Sequence, residues 1–163
     1  MKRILIFVII ILSSTIASAQ EGRKIYNKYS NNKGVSAVYI SPAMFNIIGK
    51  LPDLQIENGG EESLDLGPLI SSFSGFYMLE VSDPTLIGSL SQEVNSMIEK
   101  GRYELIMEVI EEGDKLRMYT AGNARIIESF VFYSVEGESI HFICIDGQMN
   151  RDDVEKLIVT AAQ

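Results

Sequence analysis

The most regular pattern in the chain is an apolar stripe with helical spacing near its middle. The stripe begins after Asp83-Pro84, a helix-start signal, and ends before Gly101, a residue type that commonly follows helices. Its apolar members are Ile87, Leu90, Val94, Met97 and Ile98. Charged and amide residues occupy other positions, so the pattern predicts an amphipathic helix with one buried face.

Two β-hairpins are predicted immediately after this helix. Residues 103–110 and 115–120 are rich in strand-forming residues and flank an acidic turn that contains glycine. Residues 126–135 and 140–145 repeat this plan around Glu136-Gly137-Glu138. The spacing predicts four consecutive antiparallel strands.

Alternation within the first hairpin assigns its side chains to two sides. Leu105, Met107 and Val109 fall on one side, and Glu108 falls on the other. Lys115 and Arg117 of the partner strand are predicted to pair with Glu104 and Glu108 on that second, solvated side.

The first half of the chain alternates short helices and strands. Residues 22–32 carry apolar side chains at helical spacing, and residues 35–40 are mainly β-branched and aromatic. Ser41-Pro42 then signals a helix start. A brief helix at residues 66–73 and a strand at 76–81 precede the central stripe.

The complete pattern predicts a single α+β domain. Asn150 is the expected cap of a last helix, so the element order is α-β-α-(α)-β-α-β-β-β-β-α. An antiparallel-rich sheet of five to six strands, with helices packed mainly on one face, satisfies this order. The domain is expected over residues 20–163, with a flexible acidic loop at about 52–65.

The first 19 residues have the order of a secretory signal peptide. Lys2 and Arg3 precede a run of nine apolar residues, and Ala17-Ser18-Ala19 supplies small residues before Gln20. A membrane anchor is the alternative, but the run is much shorter than the roughly 20 residues that span a bilayer. We expect cleavage before Gln20, no membrane span afterwards, and an exported protein.

The charge balance disfavours several classes of partner. The formal net charge is −8, and loss of Lys2 and Arg3 with the signal peptide would make it −10. Nucleic acids and anionic lipid surfaces require a positive patch. We therefore expect no nucleic-acid partner, and an unknown protein partner or self-association remains.

No constellation of residues in the sequence indicates catalysis. His141 is the only histidine and Cys144 the only cysteine, and both lie in a predicted strand, where a structural role is favoured. Ser72-Phe73-Ser74-Gly75 lacks the frame of a nucleophile turn. The acids around Asn150 lack the glycine and bidentate acid of a calcium loop. We expect a protein that is not an enzyme, with no catalytic residues, metal site or cofactor.

The second hairpin has apolar residues on both sides, and this suggests a binding surface. Alternation along the strands predicts that one side carries Phe130, Phe132, Ile140 and Phe142. The other side then carries Ile127, Val131, Tyr133, Ile143 and Ile145. Helices cover one side, so Phe130, Phe132 and Phe142 are candidate partner-binding residues of a protein-interaction module, unless another part of the chain covers them.

A small-molecule or lipid-binding module is the alternative function. It would use a pocket between sheet and helices with an adaptable methionine lining. The candidate lining residues are Met44, Met78, Met97 and Met107. Methionines at these spacings more often belong to an ordinary core.

The C-terminal third resembles a known family. The residues that carry the resemblance are Tyr103-Glu104-Leu105-Ile106, the turn Glu111-Glu112-Gly113-Asp114, and Ile145-Asp146-Gly147-Gln148-Met149 leading into Asp152-Asp153-Val154-Glu155-Lys156-Leu157. They resemble an exported family of Bacteroidota known as domain of unknown function 4252. The resemblance implies a fold signature and a periplasmic or secreted envelope protein of a Gram-negative bacterium without established activity, and it supplies no catalytic residues.

Overall fold

The computed structural model of the chain describes residues 21–50, 55–57 and 63–161. The predicted signal peptide at residues 1–19 lies outside these ranges. In the described part of the chain, no helix is long and apolar enough to cross a membrane.

Five helices and eight strands follow one another in the described residues. They are α1 (Glu21–Tyr29), β1 (Val35–Ile40), α2 (Pro42–Ile48), β2 (Gln55–Glu57), β3 (Ser63–Asp65), α3 (Gly67–Ser71), β4 (Phe73–Val81), α4 (Pro84–Lys100), β5 (Glu104–Glu111), β6 (Asp114–Gly122), β7 (Ile126–Glu136), β8 (Ser139–Asn150) and α5 (Arg151–Ala161). The α+β class and the order of the principal elements are confirmed. The small β2–β3 ribbon lies within the predicted loop at 52–65, and the rest of that loop lies outside the described residues.

Six strands form one antiparallel sheet in the order β1-β4-β8-β7-β6-β5. The two predicted hairpins, β5–β6 and β7–β8, are both present and pair with each other through β6 and β7. β4 pairs with β8 on one side and with β1 on the other. The edges of the sheet are therefore β1 and β5.

Side-chain caps fix the starts of three helices where the sequence predicted them. The backbone N–H of Thr85 donates to Asp83 Oδ1 at 2.8 Å at the start of α4. The N–H of Asp152 donates to Asn150 Oδ1 at 2.9 Å before α5. Ser41 caps α2 in the same way. Each cap satisfies a helix N–H that has no intrahelical partner.

One face of the sheet, here called the helix face, is covered by α1 and α4. These two helices pack beside each other and enclose the larger apolar cluster. Leu79, Val81 and Phe142 of the sheet and Leu90 and Val94 of α4 are completely buried. Burying side chains of this size contributes about 1.5–3 kcal/mol each, so this cluster is the main source of stability.

The opposite face, here called the open face, carries a smaller cluster towards one end. Its buried residues come from α3, α5 and the neighbouring strands, and they are Leu69, Ile127, Phe130, Met149 and Val154. Phe45 of α2 extends this region by packing edge-on against Phe73, with ring centroids 5.2 Å apart.

β8 is longer than predicted. The sequence pattern predicts a strand that ends at residue 145, but the strand continues to Asn150. Asp146 pairs with Ser129 of β7 and is buried. Aspartate is rarely buried, so its presence after residue 145 gives no sequence signal that the strand continues.

Candidate functional site

The three predicted partner-binding residues lie on two different faces of the sheet. Phe130 pairs with Ile145 and Phe132 with Ile143, all on the open face, whereas Phe142 pairs with Tyr133 on the helix face. Phe142 has 0% exposure and Phe130 only 8%. The assignment of Phe142 to the same side as Phe130 and Phe132 was therefore wrong, and Phe132 is the one of the three that is partly accessible.

The loop length of the second hairpin explains this error. Glu136 pairs with Ser139, so the turn contains two residues, Gly137 and Glu138, rather than three. Because side chains alternate, one residue of difference in the loop transfers every side chain of β8 to the other face.

The open face carries an apolar row that crosses the entire sheet. Successive pairings place one apolar side chain from each strand beside the next. In sheet order from β1 to β5, the row is Val38, Met78, Ile143, Phe132, Met118 and Met107. None of the six side chains is fully buried. With strands about 4.8 Å apart, this apolar row is about 24 Å long.

A polar row runs beside the apolar row on the same face. It consists of Ser36, Glu80, His141 and Ser134, which pair across β1, β4, β8 and β7. His141 Nε2 lies 3.9 Å from Glu136 Oε2. The apolar row is thus bounded by polar side chains on one flank and by the α3–α5 cluster on the other.

The edge strand β5 is exposed along its whole length. Its five large apolar residues, Leu105, Ile106, Met107, Val109 and Ile110, have exposures between 40% and 59%. The pairing with β6 shifts between Leu105 and Met107, so the residue between them forms a bulge. The bulge places Leu105 and Met107 on opposite faces, in contrast to the predicted alternation.

Of the ion pairs predicted in this hairpin, the one between Arg117 and Glu108 is present. Glu104 and Lys115 instead lie on opposite faces of the sheet. Arg117 Nε donates to Glu108 Oε2 at 2.5 Å on the helix-face side of β5. Its hydrogen bond to Glu108 raises the pKa of Arg117. The side chains are about one-third exposed, so the pair contributes little to the stability of the fold.

The four methionines proposed as a pocket lining are separated in space. Met97 is buried on α4 against the helix face, whereas Met78 and Met107 lie in the apolar row of the open face. Met44 is exposed on α2. These residues do not converge on one pocket between sheet and helices.

A groove of about 500 Å³ lies between α1 and α4. Its apolar lining includes Ile25 and Met97, and its charged lining comes from both helices. Two of its lysines already form ion pairs, Lys24 with Glu21 and Lys28 with Glu93. The groove therefore offers a largely neutralised surface.

A chain of buried polar groups lies on the helix face beneath α1. The hydroxyl of Tyr103 donates to Ser129 Oγ at 3.1 Å, and Ser129 Oγ lies 3.4 Å from Cys144 Sγ. The Cys144 thiol donates to Asp146 Oδ1 at 3.4 Å. These four residues, here called the buried polar cluster, include an Asp146 Oδ2 that has no hydrogen-bond partner among the described residues.

Burial controls the ionisation of the buried polar cluster. It raises the pKa of Asp146 to about 6, although the Ser129 and Cys144 side chains oppose this shift. Burial and the neighbouring Asp146 raise the pKa of Cys144, and the same causes raise the pKa of Tyr77 to about 12. Because only a thiolate is strongly nucleophilic, Cys144 is a core thiol, as its apolar sequence context predicted.

The described side chains provide no ready metal site. Among them, no group of three or more His, Cys, Asp and Glu residues has an arrangement that could hold a metal ion.

The buried polar cluster is not evident from the sequence, because Tyr103, Ser129 and Asp146 are brought together only by strand pairing.

Comparison with known proteins identifies a family and no activity. A family model with the description "Domain of unknown function (DUF4252)" matches residues 29–157, which is most of the chain. No curated protein and no solved structure matches the chain. The match confirms the family resemblance predicted from the C-terminal motifs.

Proposed function

Because the chain belongs to the DUF4252 family, which has no described function, we propose a function from its surface: it is a protein-interaction module without enzymatic activity. A protein partner binds on the open face along the apolar row. We further propose that the protein works outside the cytoplasm, in the periplasm or beyond, on the strength of its N-terminal signal-like segment.

The observation that carries this proposal is the continuity of the apolar row. Six strands each contribute an apolar side chain, and those at its two ends, Val38 and Met107, are at least 40% exposed. Soluble monomers rarely leave long contiguous apolar surfaces open to water. Each row side chain that a partner covers contributes about 1 kcal/mol or more by the hydrophobic effect.

Charge complementarity defines the partner. The chain has a formal charge of −8, and Glu80 and Glu104 lie on the open face beside the apolar row. A partner with apolar side chains flanked by Lys or Arg fits such a surface, whereas a second copy would bring like charges together. We therefore assign the open face to a basic, apolar segment of a different protein.

The first experiment combines mass and surface hydrophobicity. The protein from Gln20 onward is studied by light scattering, and binding of a dye that reports exposed apolar surface is recorded on the same sample. A monomer that binds the dye is expected. A dimer without dye binding would show that a second copy occupies the open face, and a monomer without dye binding would show that the chain covers this face itself.

Two matched variants locate the dye-binding surface. Phe132→Ser removes a side chain from the centre of the apolar row, and dye binding is expected to fall several-fold. Ile47→Ser removes an equally apolar side chain that is exposed on α2, outside the row, and should leave dye binding nearly unchanged. Equal effects of the two substitutions would contradict the assignment of the apolar row as the binding surface.

A further inference from the structure

The edge strand β5 has only part of the protection that sheet edges usually carry. Natural edge strands are shortened, covered, bulged, or interrupted by charged residues or proline, and β5 has glutamates and one bulge. β5 has eight residues, contains neither lysine nor proline, and is exposed at every position. Since β6 pairs with it on one side only, every second residue of β5 directs its backbone N–H and C=O away from the sheet.

The bulge at Ile106 limits the part of β5 that can accept another strand. Regular pairing with β6 extends from Met107 to Glu111, which is about 17 Å of strand. Within this stretch, Met107 and Val109 continue the open face, whereas Glu108 and Ile110 lie towards the helix face. A seventh strand added here would extend the apolar row by one more side chain.

The charges of β5 select among possible strands. Glu104, Glu108 and Glu111 lie on the strand, and Glu112 lies in the turn that follows. β5 itself carries no basic residue, and since Arg117 of β6 already pairs with Glu108, the other glutamates give this edge its negative charge. Pairing β5 with its own copy would place two sets of glutamates along one ladder, and like charges across strands are unfavourable.

We infer that β5 receives an extended segment of the partner by strand addition between Met107 and Glu111. The segment carries apolar side chains on the face next to Met107 and Val109, and it has a net positive charge because β5 and the turn after it are net acidic. This inference rests on the proposed function and states how the partner is held: backbone hydrogen bonds supply the attachment, and alternate side chains supply the selectivity.

The test uses a synthetic ten-residue peptide of alternating valine and lysine, labelled for fluorescence polarisation. Two modified peptides carry N-methyl groups on either the valines or the lysines. An added strand directs the N–H groups of alternate residues towards β5. Either the valine N–H groups or the lysine N–H groups therefore form the hydrogen bonds to β5, and the other set points away. We expect the unmodified peptide to bind, one methylated peptide to bind at least tenfold more weakly, and the other to bind nearly as well.

The remaining outcomes separate this inference from the proposed function. Equal binding of all three peptides would show that side chains alone hold the peptide, which overturns strand addition and leaves the apolar row intact. Equal binding of a valine–glutamate peptide would overturn the charge selection. If no peptide binds, strand addition is overturned, and the dye measurement on Phe132→Ser decides the proposed function separately. All changes are made in the peptide, so the protein is identical in each arm.

Discussion

Asp146 accepts a hydrogen bond from the thiol of Cys144 at 3.4 Å, although both side chains are enclosed in the core. Asp146 is only 1% exposed, and in the described part of the chain its Oδ2 has no hydrogen-bond partner. A thiol is a weak donor, and a buried carboxylate is stable as an anion only when stronger donors satisfy it. The fold therefore favours the protonated form of Asp146.

We predict that Asp146→Asn changes how stability depends on pH. The folded-state pKa, about 6, lies above the ordinary value of 3.8, so the folded chain binds this proton more tightly than the unfolded chain. Below pH 3.8 the carboxyl is mostly protonated in both the folded and the unfolded chain, so it destabilises the fold little. Above about pH 6 it is ionised in both, and the cost of the buried charge reaches about 3 kcal/mol. The difference in unfolding free energy between Asp146→Asn and wild type should rise by about 2–3 kcal/mol from about pH 4 to pH 7.5, measured by urea unfolding.

The control for this measurement is Glu138→Gln in the exposed turn between β7 and β8. The difference in unfolding free energy between this variant and wild type should change by less than about 0.5 kcal/mol over the same pH range. An asparagine amide that lacks an acceptor would lower stability equally at both pH values, and this effect cancels in the comparison. Parallel pH profiles for wild type and Asp146→Asn would contradict the prediction.

We predict that Gly22→Ala separates α1 from the sheet. A Cβ at residue 22 would lie 2.3 Å from Cys144 Sγ and 2.9 Å from Cys144 Cβ, so the helix must shift. Overpacking of this kind typically costs about 1–3 kcal/mol. Urea unfolding should show this loss, and part of it should be recovered in the double variant with Cys144→Ala, because Sγ is the nearest atom.

Gly88→Ala is the matched control for this prediction. Gly88 lies within α4, and nothing stands within 4 Å of a Cβ added there. Alanine should stabilise that exposed helical position by about 0.5–1 kcal/mol. A loss of stability at Gly88 similar to that at Gly22 would show that the contact with Cys144 is not the cause.

The sequence predicted those elements whose signals are local. Asp83 and Asn150 were recognised as helix caps because a cap and the N–H that it binds are two residues apart. The hairpins were likewise predicted from their turns, and the Glu108–Arg117 pair from the strand sequences. These features need only chain neighbours, so periodicity and turn chemistry are sufficient to find them.

The candidate site could not be predicted in the same way. The apolar row joins Val38 of β1 to Met107 of β5, and its existence depends on five separate registers. The bulge at Ile106 and the two-residue turn at Gly137 each shift a register by one residue. Such a shift reverses which side chains share a face, while the hydrophobic pattern of a two-sided apolar strand is satisfied either way.

The last prediction tests the face assignment of the two phenylalanines that the sequence placed together. Phe142 is completely buried on the helix face, so Phe142→Ser should lower the free energy of unfolding by about 4 kcal/mol or more. Phe132 is only partly buried on the open face, and Phe132→Ser should cost about 1–2 kcal/mol.

Urea unfolding followed by circular dichroism measures the loss of unfolding free energy for both variants. Phe142→Leu keeps most of the side-chain volume and should cost about 1.5 kcal/mol, so it provides a folded reference. A domain of this size has about 5–15 kcal/mol of stability in total, so Phe142→Ser alone will leave a large unfolded population if the starting stability is at the lower end. Equal losses for Phe132→Ser and Phe142→Ser would mean that both faces are equally covered, and the open face would then have no free surface for a partner.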